Sequence, residues 1–85
     1  MPDTIFDYNL ESQRVVNALR PEFPTDTIDT REGYHGRVHL ALVSRRFNGW
    51  SEAQKQAFIG DLLRDKLGPD AQAVSLALVY GTDEL

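Results

Sequence analysis

Several residue types and patterns are missing from this chain of 85 residues, and each absence excludes a class of protein. There are no cysteines, which excludes a disulfide framework, a thiol nucleophile and an iron–sulfur cluster held by the chain's own thiolates. No stretch approaches the roughly 20 apolar residues of a membrane-spanning helix. The first residues, Met1-Pro2-Asp3-Thr4, have neither the basic region nor the apolar run of a signal peptide. We therefore expect a cytoplasmic protein without a membrane partner.

Basic residues are also scarce. Nine Lys and Arg residues face thirteen Asp and Glu residues, which gives a formal net charge of −4. Proteins that bind phosphate backbones broadly are usually basic, so this balance disfavours nonspecific nucleic-acid binding but is compatible with a local basic patch. A hydrophobic content of 41% is typical of a globular protein. At this length we expect one domain, residues 1–85, with little room for an internal substrate cavity.

The first half of the chain predicts a helix followed by a short strand. Asn9 is expected to cap a helix over Leu10–Leu19, and residues 1–9 form an N-terminal extension. Pro21 ends the helix, because the residue before a proline is disfavoured in helical conformation. The segment Pro24–Thr30 predicts a strand whose aspartates place it at the edge of a sheet.

The second strand has the clearest pattern. Glu32–Gly36 predicts a loop, and the following residues Arg37–Ser44 alternate between apolar and other side chains. One face of this strand carries Val38, Leu40 and Leu42, and the other carries Arg37, His39 and Ala41. Such alternation predicts a central strand that is packed on one side and at least partly solvated on the other.

A long helix and a last strand complete the predicted domain. Ser51 followed by Gln54 has the spacing of a capping box, and Gly68 with Pro69 marks the end of the helix. Ala73–Tyr80 then predicts a strand with one face made of Val74, Leu76, Leu78 and Tyr80. The order α-β-β-α-β predicts an α+β fold with two main helices on one face of a three-stranded mixed sheet.

The segment Val38–Gly49 resembles the signature of the BolA family: an apolar strand that ends in Val-Ser, then a charged pair, Phe, one residue and Gly. Leu76-Ala77-Leu78, followed by Thr82-Asp83-Glu84, is similar to the family's final strand and acidic end. The resemblance implies a BolA-like fold, similar to a type II KH domain. It also implies a partner, since BolA-like proteins bind monothiol glutaredoxins, share a glutathione-dependent 2Fe–2S cluster with them and act in iron homeostasis. Some members are linked to transcription regulation.

The resemblance also points to metal ligands. His35 lies in the loop where the family has a ligand, whereas Val74 takes the place of the family's histidine in the last strand and has no donor atom. The family's Arg-His-Arg stretch is replaced by Lys55-Gln56-Ala57. His39 is a second candidate ligand if its side chain leans toward the loop; otherwise both histidines are ordinary surface residues. We expect no cofactor bound tightly by this chain alone, and at most a 2Fe–2S cluster shared with a glutaredoxin and glutathione.

Other residues are candidates for binding a partner or a nucleic acid. Arg37, Arg45, Arg46 and Lys55 are predicted to form a basic patch that could meet an acidic partner or a phosphate, unless they are ordinary solvated charges. Trp50 could pack on the helix that follows it or serve as an interface anchor.

A catalytic arrangement is not apparent, so we expect a non-enzymatic binding module. Gly33-Tyr34-His35-Gly36 matches the GxxG pattern of KH domains, but it joins two strands and lacks a central Lys or Arg, and is interpreted as a hairpin turn. Two alternatives to a glutaredoxin-binding role stay open. One is a KH-like, nucleic-acid-binding transcriptional regulator that uses Arg45 and Arg46. The other is a structural homodimer that pairs through a strand edge or through Trp50.

Overall fold

The computed structural model describes residues 5–85, so the expected absence of a signal peptide at residues 1–4 lies outside the described residues. Two helices and three strands alternate in the predicted order α-β-β-α-β, which confirms the α+β class. They are α1 (Tyr8–Leu19), β1 (Thr27–Glu32), β2 (Val38–Val43), α2 (Glu52–Leu67) and β3 (Val74–Tyr80). Within residues 5–85, no helix is long and apolar enough to cross a membrane.

The three strands form one mixed sheet with β2 at its centre. β1 and β2 are antiparallel and are joined by a 3₁₀ turn over Tyr34–Gly36, which confirms the hairpin turn predicted for the GxxG segment. β3 runs parallel to β2. A parallel pair requires a crossover connection, and α2 supplies it. β1 and β3 are therefore the two edges of the sheet.

The core lies between this sheet and the two helices. Its strand residues are the apolar set of β2, with Val79 from β3, and its helix residues come from both α1 and α2. The buried cluster consists of Val15, Leu19, Phe23, Val38, Leu40, Leu42, Phe47, Ile59, Leu63 and Val79. Helices covering one face of the sheet were predicted, and this core confirms them.

The strand β3 contains a bulge that the sequence pattern does not reveal. Val74 pairs with Val38, but the next residue of β2, His39, pairs with Leu76, so Ser75 is an additional residue in β3. A bulge moves the following side chains to the opposite face. Val74 accordingly packs against the core, while Leu76 is exposed. The prediction that Val74 shares a face with Leu76 is therefore wrong.

Helix α1 begins earlier than predicted. Its N-cap is Asp7, whose side chain accepts a hydrogen bond from the backbone amide of Leu10, so Tyr8 and Asn9 belong to the helix and not to an extension. The rest of the predicted extension that the structure describes, residues 5–7, precedes the helix.

Strand β1 begins at Thr27 instead of Pro24. The guanidinium of Arg20 donates hydrogen bonds to the carbonyls of Phe23 and Asp26, at 3.0 and 2.8 Å. These bonds hold the segment in a turn that buries Phe23 completely, and the chain is extended only after it.

Helix α2 has both predicted ends. The Ser51 hydroxyl accepts a hydrogen bond from the amide of Gln54, and the Gln54 side chain accepts one from the amide of Ser51, at 3.1 and 2.8 Å. Gly68 follows the helix with a φ of +57°, which favours glycine.

Replacing Ser51 with alanine is expected to remove about 1 kcal/mol of stability, because it leaves the amide of Gln54 without its side-chain acceptor. The measurement is urea unfolding followed by far-UV circular dichroism. Ser12→Ala is the matched control, since Ser12 lies within α1 and its hydroxyl donates to the carbonyl of Asn9 without capping an amide. An equal loss in both variants would contradict the capping role.

Candidate functional site

The face of the sheet opposite the helices lies outside the core and carries exposed side chains. We call it the open face. The strand register places its side chains in three rows across the sheet: Arg31–His39–Leu76, Asp29–Ala41–Leu78 and Thr27–Val43–Tyr80. The alternate residues of β1 point the other way, since the Thr30 hydroxyl hydrogen-bonds to that of Tyr8 in α1 at 2.9 Å.

The open face combines an apolar half with a charged half. Leu76 and Leu78 are 44% and 41% exposed along edge strand β3, although leucines are mostly buried in small domains. Asp29 and Arg31 lie on the opposite edge. Together with His39 they border a shallow depression of about 470 Å³. A surface of this shape suits contact with another macromolecule better than it suits an enclosed substrate.

Both histidines lie at the hairpin end of the sheet, which we define as residues 33–37 with His39. A Cβ atom added at Gly33 would lie 2.5 Å from the Nε2 atom of His39, so the imidazole of His39 leans against the loop and a larger residue at position 33 would displace it. His35 adopts a left-handed conformation with φ of 55° and ψ of 34°. Its ring lies 3.9 Å from that of Tyr34, measured between centroids.

Among residues 5–85, no group of three or more His, Cys, Asp or Glu side chains could hold a metal ion. Val74 starts β3 beside Val38, at the same end of the sheet as the loop of His35. Its side chain has no donor atom and packs against the core. The hairpin end therefore contains His35 and His39, but it offers no ligand at the position where the resemblance implies a second one.

The two stretches that carry the BolA resemblance are in direct contact. The Asn48 side-chain oxygen accepts a hydrogen bond from the amide of Asp83 at 3.1 Å, and the Asn48 amide group donates to the hydroxyl of Thr82 at 3.0 Å. A carboxylate oxygen of Asp83 accepts from the amide of Gly49 at 3.0 Å. The turn after β2 and the acidic segment after β3 thus form one hydrogen-bonded unit.

The predicted basic patch is divided between two ends of the sheet. Arg37 precedes β2 and its guanidinium lies 5.5 Å from the ring centre of Phe6, whereas Arg45 and Arg46 follow β2. The six residues of β2 separate them by about 20 Å at the usual rise of a strand. The prediction of a single patch is therefore wrong.

The guanidinium of Arg46 contacts two aromatic rings and one carboxylate. Its guanidinium carbon lies 5.1 Å from the ring centre of Phe23 and 4.8 Å from that of Phe58, and a terminal nitrogen is 3.8 Å from a carboxylate oxygen of Glu22. Cation–π contacts of this kind hold the side chain against the aromatic core. Arg45 is exposed and has no ion pair with any other described residue.

Lys55 does not lie on the surface. Its side chain is 1% exposed, and its ammonium contacts carboxylate oxygens of Glu52 and Glu84 at 2.8 and 2.6 Å. The hydrogen bonds that it donates to Glu52 and Glu84 raise its pKa. The predicted place of Lys55 in an exposed basic patch is wrong, because the C-terminal segment covers it.

Trp50 packs within an aromatic cluster. Its ring centre lies 5.3 Å from that of Phe47 and 5.5 Å from that of Phe58, both edge to face. The predicted contact with helix α2 is thus made, through Phe58. Trp50 stays half-buried, which leaves part of the ring at the surface.

Comparison of the chain with protein-family models, with curated proteins and with solved structures finds no match in any of the three. A function must therefore be inferred from the site itself. The sequence analysis did not identify the open face as a site. The signal that could have indicated it is the alternation of Leu76 and Leu78 with small residues.

Proposed function

We propose that this chain is a non-enzymatic, BolA-like binding module that docks a monothiol glutaredoxin through its hairpin end and acts in iron homeostasis. The observation that carries the BolA-like part of the proposal is the hydrogen-bonded unit of Asn48 and Gly49 with Thr82 and Asp83, at the opposite end of β2 from the hairpin. It gives a physical reason for the joint occurrence of the two motifs on which the resemblance rests. The hairpin end is proposed for docking because the resemblance places a family ligand in its loop. The order α-β-β-α-β and the mixed sheet agree with the fold that the resemblance implies.

A 2Fe–2S cluster shared with the partner does not fit the side chains of this chain well. His35 and His39 are the imidazoles near the loop, and Val74 contributes apolar packing where a second ligand would be needed. The proposal is therefore one of docking, in which the glutaredoxin and its glutathione hold the metal. Arg37 and His35 contribute recognition, since both stand at the hairpin end beside the exposed ring of Tyr34.

Isothermal titration of the protein into a monothiol glutaredoxin tests docking, and visible circular dichroism of the cluster-loaded glutaredoxin tests ligation. We expect saturable heat near one-to-one with little change of the cluster spectrum. Arg37→Glu is expected to weaken binding about ten-fold, because it reverses a charge at the proposed contact. His35→Asn is the conservative variant at the loop, since asparagine tolerates the left-handed conformation.

Arg45→Glu is the matched control, because Arg45 is an exposed arginine at the opposite end of β2. No heat at several hundred micromolar would refute the proposal. A loss of binding with Arg45→Glu but not with Arg37→Glu would show that the partner docks elsewhere. Nucleic-acid binding is less favoured, because Lys55 is buried and the guanidinium of Arg46 packs against the rings of Phe23 and Phe58.

A further inference from the structure

We propose that the open face is a self-association surface, on which a second copy of this chain packs face to face about a two-fold axis. This inference concerns the open face, which shares His39 with the hairpin end, and it does not depend on glutaredoxin binding. The starting observation is that two leucines of β3, Leu76 and Leu78, point away from the core and are exposed at the surface. The apolar face of a sheet is stable when another layer covers it.

The arrangement of charges indicates what that layer is. Asp29 and Arg31 have opposite charges, lie two residues apart on the open face of β1, and form no ion pair with another described residue. A surface that carries both signs in this way is complementary to itself. Two-fold symmetric interfaces require such self-complementarity, because residue i contacts residue j and j contacts i.

One position of the axis satisfies every pair in the first two of the three rows. The axis lies in the interface, perpendicular to the strands, between the row Arg31–His39–Leu76 and the row Asp29–Ala41–Leu78. It places Arg31 opposite Asp29 of the second copy and Leu76 opposite Leu78. It also places the bulky His39 opposite the small Ala41, which fills the central depression. The charged, the apolar and the size-matched pairs thus follow from a single operation.

The dimensions of the face set the strength of this dimer. Three strands of about six residues cover roughly 14 by 20 Å, taking about 4.8 Å between strands and 3.3 Å per residue. The area of such a face is well below the roughly 800 Å² that each partner buries in a stable interface. We therefore expect reversible association, with the monomer dominant at low micromolar concentration and the dimer populated at several hundred micromolar.

Sedimentation equilibrium from about 10 µM to about 1 mM tests the proposal on the whole chain. The wild type is expected to approach twice the monomer mass at the upper end. Leu78→Glu and Arg31→Asp are expected to raise the dissociation constant about ten-fold or more, because they bury a charge or set two acids opposite each other. The double variant Asp29→Arg/Arg31→Asp exchanges the charges and is expected to restore association.

Leu10→Glu is the matched control, since Leu10 is a 45% exposed leucine on helix α1 and its replacement should leave the dimer unchanged. A wild type that stays monomeric at 1 mM would overturn the proposal. So would a dimer that persists in both Leu78→Glu and Arg31→Asp, which would place the contact elsewhere. If the chain is monomeric and Leu78→Glu instead abolishes glutaredoxin binding, the open face belongs to that partner and the second copy is excluded.

Discussion

Replacement of Phe47 with alanine is expected to remove about 3–5 kcal/mol of stability, which is the usual cost of deleting a buried aromatic side chain. Phe47 is fully buried, and its ring contacts those of Phe23, Trp50 and Phe58 at centroid distances of 5.7, 5.3 and 5.7 Å. The deletion would leave a cavity at the centre of the aromatic cluster. Because the free energy of unfolding of a native protein is only about 5–15 kcal/mol, this variant should be close to unfolding.

Urea unfolding followed by circular dichroism gives the measurement. Phe47→Leu keeps most of the volume and is expected to cost less than Phe47→Ala, so it remains measurable if the alanine variant does not fold. Tyr34→Ala is the control, since that aromatic residue is 77% exposed and its loss should change stability by less than about 0.5 kcal/mol. Equal losses for Phe47→Ala and Tyr34→Ala would contradict the packing described for the cluster.

The pH dependence of stability is expected to report on the ion pair between Lys55 and Glu84. The hydrogen bond from Lys55, assisted by the backbone amide of Gly81, lowers the pKa of Glu84 below its ordinary value of 4.5. The unfolded chain then binds the proton more readily than the folded one. The contribution of Glu84 is therefore complete above pH 4.5 and is lost as the pH falls through the folded pKa.

The contribution of Lys55 to stability should be lost at high pH instead of low pH. Its pKa is raised above 10.5 by hydrogen bonds to Glu52 and Glu84, so its contribution is complete below that pH and is lost as the pH rises through the folded pKa. Both contributions are thus complete near neutral pH. Between pH 7 and pH 3 the urea midpoint should fall more in the wild type than in Glu84→Gln, because a glutamine at position 84 cannot titrate.

Glu32→Gln is the matched control for that experiment, because Glu32 is exposed at the end of β1 and forms no ion pair with a described residue. It should retain the pH dependence of the wild type. If Glu84→Gln and the wild type lose stability in parallel between pH 7 and pH 3, the pair does not contribute as the geometry indicates.

Much of the fold follows from local patterns. The capping box of Ser51 and Gln54, the glycine stop at Gly68 and the alternation of β2 depend on neighbours within a few residues, and the structure confirms all three. The start of β1 depends instead on Arg20, whose guanidinium bonds carbonyls of the following turn. The composition of Pro24–Thr30 alone predicts that this turn is extended.

The site was harder to predict, because its contacts join distant parts of the chain. Lys55 was expected at the surface, but it is buried and pairs with Glu84, 29 residues later in the chain, as well as with its neighbour Glu52. Arg37 and Arg45 are close in sequence, yet the intervening strand places them at opposite ends of the sheet. The resemblance to BolA proteins, and the docking role it implies, stay predictions that the titration will decide.

The bulge at Ser75 also limits which side chains position 74 can accept. Val74 faces Val38 and the core, so a histidine introduced there would enter the packed layer instead of reaching the loop of His35. Deleting Ser75 would not redirect it, because residue 74 would then directly precede Leu76 and would still pair with Val38 on the core face. A substitution at the start of β3 is therefore a change in core packing before it is a change in surface chemistry.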